Sequence, residues 1–311
     1  MLKIEHMSFG YIKQPLLLID TNVSVKNGVL FVFGQEGAGK TTLLELLCGI
    51  QSLYVGKISV CGKDPKEATS QITYLHTEVV ALKNKTVLEN FQFAAEACGK
   101  EFSEGIFDEW FKQNKDIKFK KLSPLNKQIF AYERAKIKDA NVMLIDISLT
   151  DFSQSEIKNL AEILTHLSQN KNKLLVISIN CEDFKKLQFC PKNSEICYIF
   201  ATKSKQFASF DKFANDAGYM GMAQYLGLKE VPATIENNQN GFFLKVKEQI
   251  IKLNSKYLKK IEMYFDEITT KTAVCFFTNL SYESLTSEQF NAAIENNQIL
   301  LYDTLTTERL K

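Results

Sequence analysis

The sequence predicts an α/β protein with a mainly parallel sheet covered by helices on both faces, followed by a small β-rich C-terminal domain. Three observations carry this expectation. Short apolar runs alternate with helical segments across residues 1–205, a glycine-rich turn joins one such run to a helix, and strand-like segments crowd together after about Lys229. A chain of 311 residues, 45% of them apolar, has the material for one full domain and a smaller second one. The expected division is residues 1–210 and residues 211–311, with the boundary falling within 210–230 and the second part holding a linker and the β-rich domain.

The glycine-rich turn is Gly34-Gln35-Glu36-Gly37-Ala38-Gly39-Lys40-Thr41-Thr42. It follows the apolar run Val29-Leu30-Phe31-Val32-Phe33 and precedes the helical Leu43-Leu44-Glu45-Leu46-Leu47. Strand, glycine turn, helix is the setting a phosphate-binding loop requires. Glycines let successive backbone N–H groups curl round an anion, and the helix N-terminus adds its partial positive charge. At this spacing Lys40 is placed to reach the β- and γ-phosphates of a nucleoside triphosphate, and Thr41 to put a hydroxyl on Mg²⁺.

Further along, Ile58-Ser59-Val60-Cys61, Ile72-Thr73-Tyr74-Leu75, Val142-Met143-Leu144-Ile145 and Leu174-Leu175-Val176-Ile177 read as buried strands. Between the last two, residues 155–164 carry helical periodicity with a hydroxyl at the start. In the tail, Asn237-Asn238-Gln239-Asn240-Gly241 is a hairpin signal before the strand-like Phe242-Phe243-Leu244-Lys245-Val246. Lys260–Phe265, Ala273–Phe277 and Gln298–Tyr302 are the other strand candidates there.

Charge and cysteine usage narrow the function classes. Thirty-eight basic residues against 36 acidic leave a net charge of +2, which argues against a nucleic-acid partner. The local run Lys118-Phe119-Lys120-Lys121 reads as a solvated face. Seven scattered cysteines without a C-x-x-C pair, and three dispersed histidines, give neither a zinc site nor a disulfide framework. No signal peptide and no run near the roughly 20 apolar residues that span a bilayer can be read. The expectation is a soluble, cytosolic chain that meets a membrane only through a partner, without direct insertion.

Together these landmarks resemble the ATP-binding cassette subunits of transporters, over residues 1–205. The resemblance implies a P-loop NTPase cassette fold. Tyr11 stands where the family places an aromatic that stacks on adenine, and Gly37-Ala38-Gly39-Lys40-Thr41-Thr42 is similar to the family's loop. Thr86-Val87-Leu88-Glu89-Asn90 resembles its T-V-x-E-N stretch, Val142-Met143-Leu144-Ile145-Asp146 its second Walker motif, and Leu122-Ser123 the start of its L-S-G-G-Q signature. The implied cofactors are ATP and Mg²⁺. Tyr11, Gly34, Gly37, Gly39, Lys40, Thr41, Thr42, Asp146 and, across a dimer, Ser123 would contact the nucleotide, with Thr41 and Asp146 on the metal. In the tail, Met222–Gly227 and Leu300–Leu310 resemble stretches of the maltose-type sugar-importer ATPases, which implies a small OB-like regulatory domain.

Five motif positions depart from the family. Ile147 replaces the Glu that polarises the attacking water, and Asn180 the histidine that meets the γ-phosphate. Thr77 stands for the membrane-coupling glutamine, Ser153 for the aspartate of the dimer-contacting loop, and the signature reads Leu122-Ser123-Pro124-Leu125-Asn126. Binding groups are kept and hydrolysis groups are not. The resemblance therefore implies a subunit of a solute importer that binds Mg-ATP but hydrolyses it poorly. It would work beside membrane-spanning permease subunits and a second, catalytically competent cassette, on the inner face of the cell membrane. Two other readings stay open: an ATP-liganded regulatory or scaffold protein outside transport, and an ATPase whose base is Asp151 or Glu182.

Overall fold

The computed structural model describes residues 1–12, 16–52, 54–150, 152–192, 194–200, 202–215, 229–238, 241–254, 271–278, 280–296 and 299–303. The chain forms two compact units, Met1–Phe210 and Asp211–Lys311. In the first, a three-stranded antiparallel sheet is ordered β2-β1-β4, from β1 (Leu2–Gly10), β2 (Leu16–Val25) and β4 (Tyr54–Val60). A six-stranded sheet runs β5-β6-β7-β3-β8-β9, from β3 (Gly28–Gly34), β5 (Ile72–Leu75), β6 (Val142–Asp146), β7 (Leu174–Ser178), β8 (Ser194–Phe200) and β9 (Lys203–Phe207). Only β9, on the edge, pairs antiparallel in it. The expectation of a mainly parallel sheet holds, with one correction. The run ending at Cys61 belongs to the antiparallel sheet, because β4 pairs with β1 and Cys61 itself turns at φ 53°.

Helix α1 (Lys40–Leu47) lies between the two sheets. Its Leu43, Leu44, Leu46 and Leu47 enter one core with Ile4, Phe9 and Val23 of the small sheet and with Leu30, Val32, Leu144 and Val176 of the large one. Alternate residues of β3 point the other way. Phe31 and Phe33 stack on each other and meet Phe184 edge-on, in α6 (Cys181–Leu187) on the opposite face. A strand buried on both faces reads as an unbroken apolar run, which is why Val29–Phe33 is plain in the sequence.

A helical layer comprises α2 (Val87–Ala97), α3 (Glu109–Asn114) and α4 (Pro124–Lys138). Its core is aromatic: Phe91, Phe107, Phe111, Phe119 and Phe130 pack together with Val87, Leu122 and Ile137. The T-V-L-E-N stretch has a local physical role here. Thr86 and Glu89 form a capping box on α2, and buried Asn90 bonds both the N–H and the carbonyl of Leu82. Helix α5 (Gln154–Ser168) starts at a second capping box, Ser153 with Glu156.

The second unit is an antiparallel sheet ordered β12-β11-β10-β13-β14, from β10 (Lys229–Asn238), β11 (Gly241–Val246), β12 (Gln249–Lys252), β13 (Lys271–Thr278) and β14 (Ile299–Asp303). The chain also forms α7 (Phe210–Asn215) at the junction and α8 (Ser287–Glu295) in the tail. Val231, Ile235, Leu244, Val274, Phe276 and Leu301 build the second core with Phe290 of α8. The hairpin expected at Asn237–Gly241 joins β10 to β11 in the register Asn238↔Gly241. The strand candidate Lys260–Phe265, the stretch Met222–Gly227 and residues 304–310 lie outside the described residues.

One buried acid sets a pH dependence. Glu133 on α4 is 5% exposed, pairs with Lys136 Nζ at 2.6 Å, and lies near Asp108, the cap of α3. Burial, with a further push from Asp108, raises its carboxyl above the ordinary 4.5 despite Lys136. An acid raised in the folded state binds protons that the unfolded state has released. Its contribution is fully present below pH 4.5 and is lost as pH rises through the folded value. Glu133→Gln, which keeps the shape and loses the charge, should therefore gain stability relative to the parent as pH rises from 4.5 to 7. Urea unfolding followed through Trp110, the single tryptophan, checks this; a constant difference across that range would contradict it.

Candidate functional site

The glycine-rich loop springs from the C-terminal end of β3, where β7 runs alongside in the register Val32↔Ser178. Gly34 sits so close to β8 that an added Cβ would lie 2.8 Å from the Ile199 carbonyl oxygen. Gly39 caps α1 in the left-handed region, at φ 96°, with no side-chain hydrogen bond to the helix and no acidic residue in the first turn. As at any helix start, the leading N–H groups of α1 have no acceptor within the helix, and the cap residue Gly39 supplies no side chain to them. Such a terminus attracts an anion.

The polar side chains around this terminus form a connected set. Lys40 Nζ donates to the carbonyls of Gly34 and Gln35 at 2.9 and 2.7 Å, which holds the ammonium over the loop. Thr41 Oγ1 donates to Asp146 Oδ2 at 2.7 Å. Asp146 ends β6, one strand beyond β7, and pairs in register with Ser178, so the sheet itself delivers this carboxylate to α1. Tyr11 shares a 2.9 Å hydrogen bond with Thr42 Oγ1. A cavity of about 470 Å³ opens here, lined by Tyr11, Leu16, Leu17, Gly37, Gly39, Lys40, Thr41 and Thr42. Six residues expected from the sequence thus share one cavity, and Asp146 joins them through Thr41. Leu16 and Leu17 carry no motif, and only the closure of β2 over the loop reveals them.

These groups fit Mg-ATP. An uncapped helix start and a lysine suit a polyphosphate, and a hydroxyl beside a carboxylate suits a hard cation. An aromatic ring with two leucines suits a nucleobase. Nearby, Tyr74 has a buried hydroxyl without a partner; burial, then the charges of Asp146 and Glu45, push its phenol upward, so it stays neutral. No group of three or more metal-ligating side chains occurs among the described residues, so the pair Thr41 and Asp146 would hold the metal together with the nucleotide's own oxygens.

Ser123 is not part of this cavity. It caps α4 by accepting the Asn126 N–H at 3.2 Å, and Pro124 takes the first helical position. Asn126 Oδ1 accepts from Trp110 Nε1 at 2.9 Å. Hydrogen bonds from the backbone N–H and the hydroxyl of Ser153 hold the Glu156 carboxyl below its ordinary value. The substituted positions are likewise engaged within the chain. Ile147 is buried, and its N–H donates to Ser178 O at 2.9 Å. Thr77 Oγ1 donates to the Asp146 carbonyl at 3.4 Å, and Gln128 Nε2 donates to the Thr77 carbonyl at 3.1 Å. Asn180 caps α6. Asp151 lies outside the described residues.

The sequence profile of the ABC transporter family matches residues 18–179, just over half of the chain. The chain belongs to the ABC transporter family. Among curated relatives it is 29% identical over 196 residues to the ribose import ATP-binding protein RbsA of Oceanobacillus iheyensis, covering 57% of this chain and 39% of that one. It is 24% identical over 276 residues to the uncharacterized ABC transporter ATP-binding protein MJ1023 of Methanocaldococcus jannaschii, covering 86% of this chain and 98% of that one. The chain thus spans about two fifths of the ribose protein and nearly all of the archaeal one. Among solved structures, cbiO1 of Clostridium perfringens, part of the ABC transporter complex cbiONQ, matches with a TM-score of 0.56 at 17% identity, over 69% of this chain and 90% of that one. That likeness shows the fold. No helix among the described residues is long and apolar enough to cross a membrane.

Gly39 tests the cradle. A Cβ there would sit 3.1 Å from Leu17 Cγ and 3.2 Å from Leu17 Cδ2, on a backbone that L-residues avoid. Gly39→Ala should lower stability by roughly 1–3 kcal/mol in urea unfolding and weaken nucleotide binding as the loop shifts. Unchanged stability would mean that the loop adapts freely.

Proposed function

We propose that this chain is the ATP-binding subunit of a solute importer that holds Mg-ATP and hydrolyses it poorly. The observation that carries the binding half is the Thr41–Asp146 hydrogen bond beside an α1 whose cap residue has no side chain, which sets a carboxylate next to a cavity lined by Lys40, Thr41 and the glycine loop. Tyr11, Gly34, Gly37, Gly39, Lys40, Thr41, Thr42 and Asp146 would bind the nucleotide, and bound Mg²⁺ would neutralise phosphate charge. Ile147 supports the second half, since a buried aliphatic side chain neither accepts a proton nor orients water.

Relatives named as importer ATP-binding proteins support membrane-spanning permease subunits as partners and a peripheral place on the inner face of the membrane. The second unit, 211–311, would be regulatory. A catalytically competent partner cassette is proposed because the signature of this chain is poorly suited to a phosphate. Ser123 and Asn126 are engaged within the chain, and Leu125 has a side chain where the family has none. The internal bonding of Thr77 favours a second reading, a regulatory or scaffold protein outside transport. Recovery of permease subunits with the chain from native membranes separates the two.

Calorimetry should find Mg-ATP binding that Lys40→Ala abolishes, with almost no phosphate released by the pure protein. Steady turnover at ~1 s⁻¹ or faster, the low end of ordinary enzymes, would sink the reading.

Association gives a separate check. Leu125 would meet the opposing nucleotide in both halves of a homodimer but in only one half of a mixed pair. Light scattering with Mg-ATP should therefore find the isolated chain monomeric at micromolar concentration. A tight ATP-induced homodimer would remove the case for a partner cassette.

A further inference from the structure

Asn180 and Asp183 make a device that the nucleotide site does not require. Asn180 Oδ1 accepts the Asp183 backbone N–H at 2.7 Å, and Asn180 Nδ2 donates to Asp183 Oδ2 at 3.0 Å. The same carboxylate oxygen accepts the backbone N–H of Leu149 at 3.1 Å, from the segment that follows β6. Lys186 Nζ stands 3.4 Å from the other oxygen. Asp183 is only 4% exposed, so two N–H donors and one cation hold a carboxylate withdrawn from water.

The segment itself is anchored at two points. Ile147 N–H donates to Ser178 O at 2.9 Å, Leu149 N–H donates to Asp183, and both side chains are buried. The amide of Asn180 is planar and engaged at both ends. Turning it toward a phosphate would break the helix cap and the bond to Asp183 together. Freeing Leu149 would leave a buried carboxylate short of a donor.

We infer that Asn180 and Asp183 form a clamp that holds residues 147–150 in one conformation whether or not nucleotide is bound. Asp183 is then a positioning residue for this segment, and position 180 does not read the nucleotide. Only the nucleotide independence rests on the function proposed above; the clamp itself stands on the hydrogen bonds of Asp183.

The test is amide hydrogen exchange at Leu149, followed by NMR on the full chain and normalised to Val176 in β7, with and without Mg-ATP. The parent protein should show slow exchange with the same normalised rate in both conditions. Asp183→Ala should speed exchange by about tenfold or more without nucleotide and make it respond to Mg-ATP. Asp183→Asn, which keeps a carbonyl for Leu149, should restore most of the protection. A parent rate that changes on adding Mg-ATP, or an Asp183→Ala rate equal to the parent's, would overturn the inference. If Asp183→Ala does not fold, Asn180→Ser takes its place. It keeps the cap and loses the donor, so it should speed exchange by a smaller factor, and an unchanged rate would again refute the clamp. Calorimetry on the same samples keeps the two ideas apart. Absence of ATP binding would sink the proposed function and leave the nucleotide-free comparison to judge the clamp.

Discussion

The 2.7 Å hydrogen bond from Thr41 to Asp146 ties the start of α1 to the end of a strand that is not its neighbour. For it to form, β3, β7 and β6 must end level, and the registers Val32↔Ser178 and Asp146↔Ser178 make them do so. Helix α1 must also be pressed onto the sheet. Its four leucines lie in the same core as both sheets, so the small antiparallel sheet acts as the lid that holds the helix carrying Lys40 and Thr41 down. Burying one such side chain is worth about 1.5–3 kcal/mol, which exceeds the roughly 1 kcal/mol net of a hydrogen bond. Packing therefore places Thr41, and the hydrogen bond selects its final geometry.

The same sheet end explains why substitutions cluster where they do. Ile147, Thr77 and Asn180 follow strands that converge on the loop, yet each is turned to a partner inside the chain. A buried polar group without a partner costs about 1–3 kcal/mol. For a polar group at such a position, an internal partner is the stable resolution. Asn180 illustrates this: its length and its paired donor and acceptor match a helix cap and a carboxylate together. Lys40, Thr41 and Asp146 are also bonded within the chain, but all three sit on the cavity or directly beside it.

Much of this is legible in the sequence because the signals are local. The loop, its strand and its helix are contiguous, and β6 and β7 are short apolar runs whose burial on both faces leaves no polar alternation. The small sheet is harder to read. In β1, irregular register between Ile4 and Met7, and again between Met7 and Phe9, breaks the two-residue period. Ile58–Cys61 consequently looks like one more parallel strand. Leu16 and Leu17 reach the cavity only through that sheet's closure, which no spacing rule encodes. The bonds from Trp110 to Asn126 and from Leu149 to Asp183 join residues 16 and 34 positions apart, and their meaning appears only in three dimensions.

Nucleotide binding of the kind proposed would have physical consequences even without efficient hydrolysis. A ligand at a hundredfold excess over its dissociation constant adds about 2.7 kcal/mol to the folded state. That rivals burial of a large side chain in the α1 core. Filling the cavity would replace the contacts by which Lys40 and Thr41 now satisfy themselves and would pull the loop, Tyr11 and β6 into one liganded unit. A clamp that keeps residues 147–150 unchanged would confine that stabilisation to the cavity side of the sheet. ATP would then act in this chain as a structural ligand, and any cycle of opening and closing would have to be driven by hydrolysis elsewhere in the assembly.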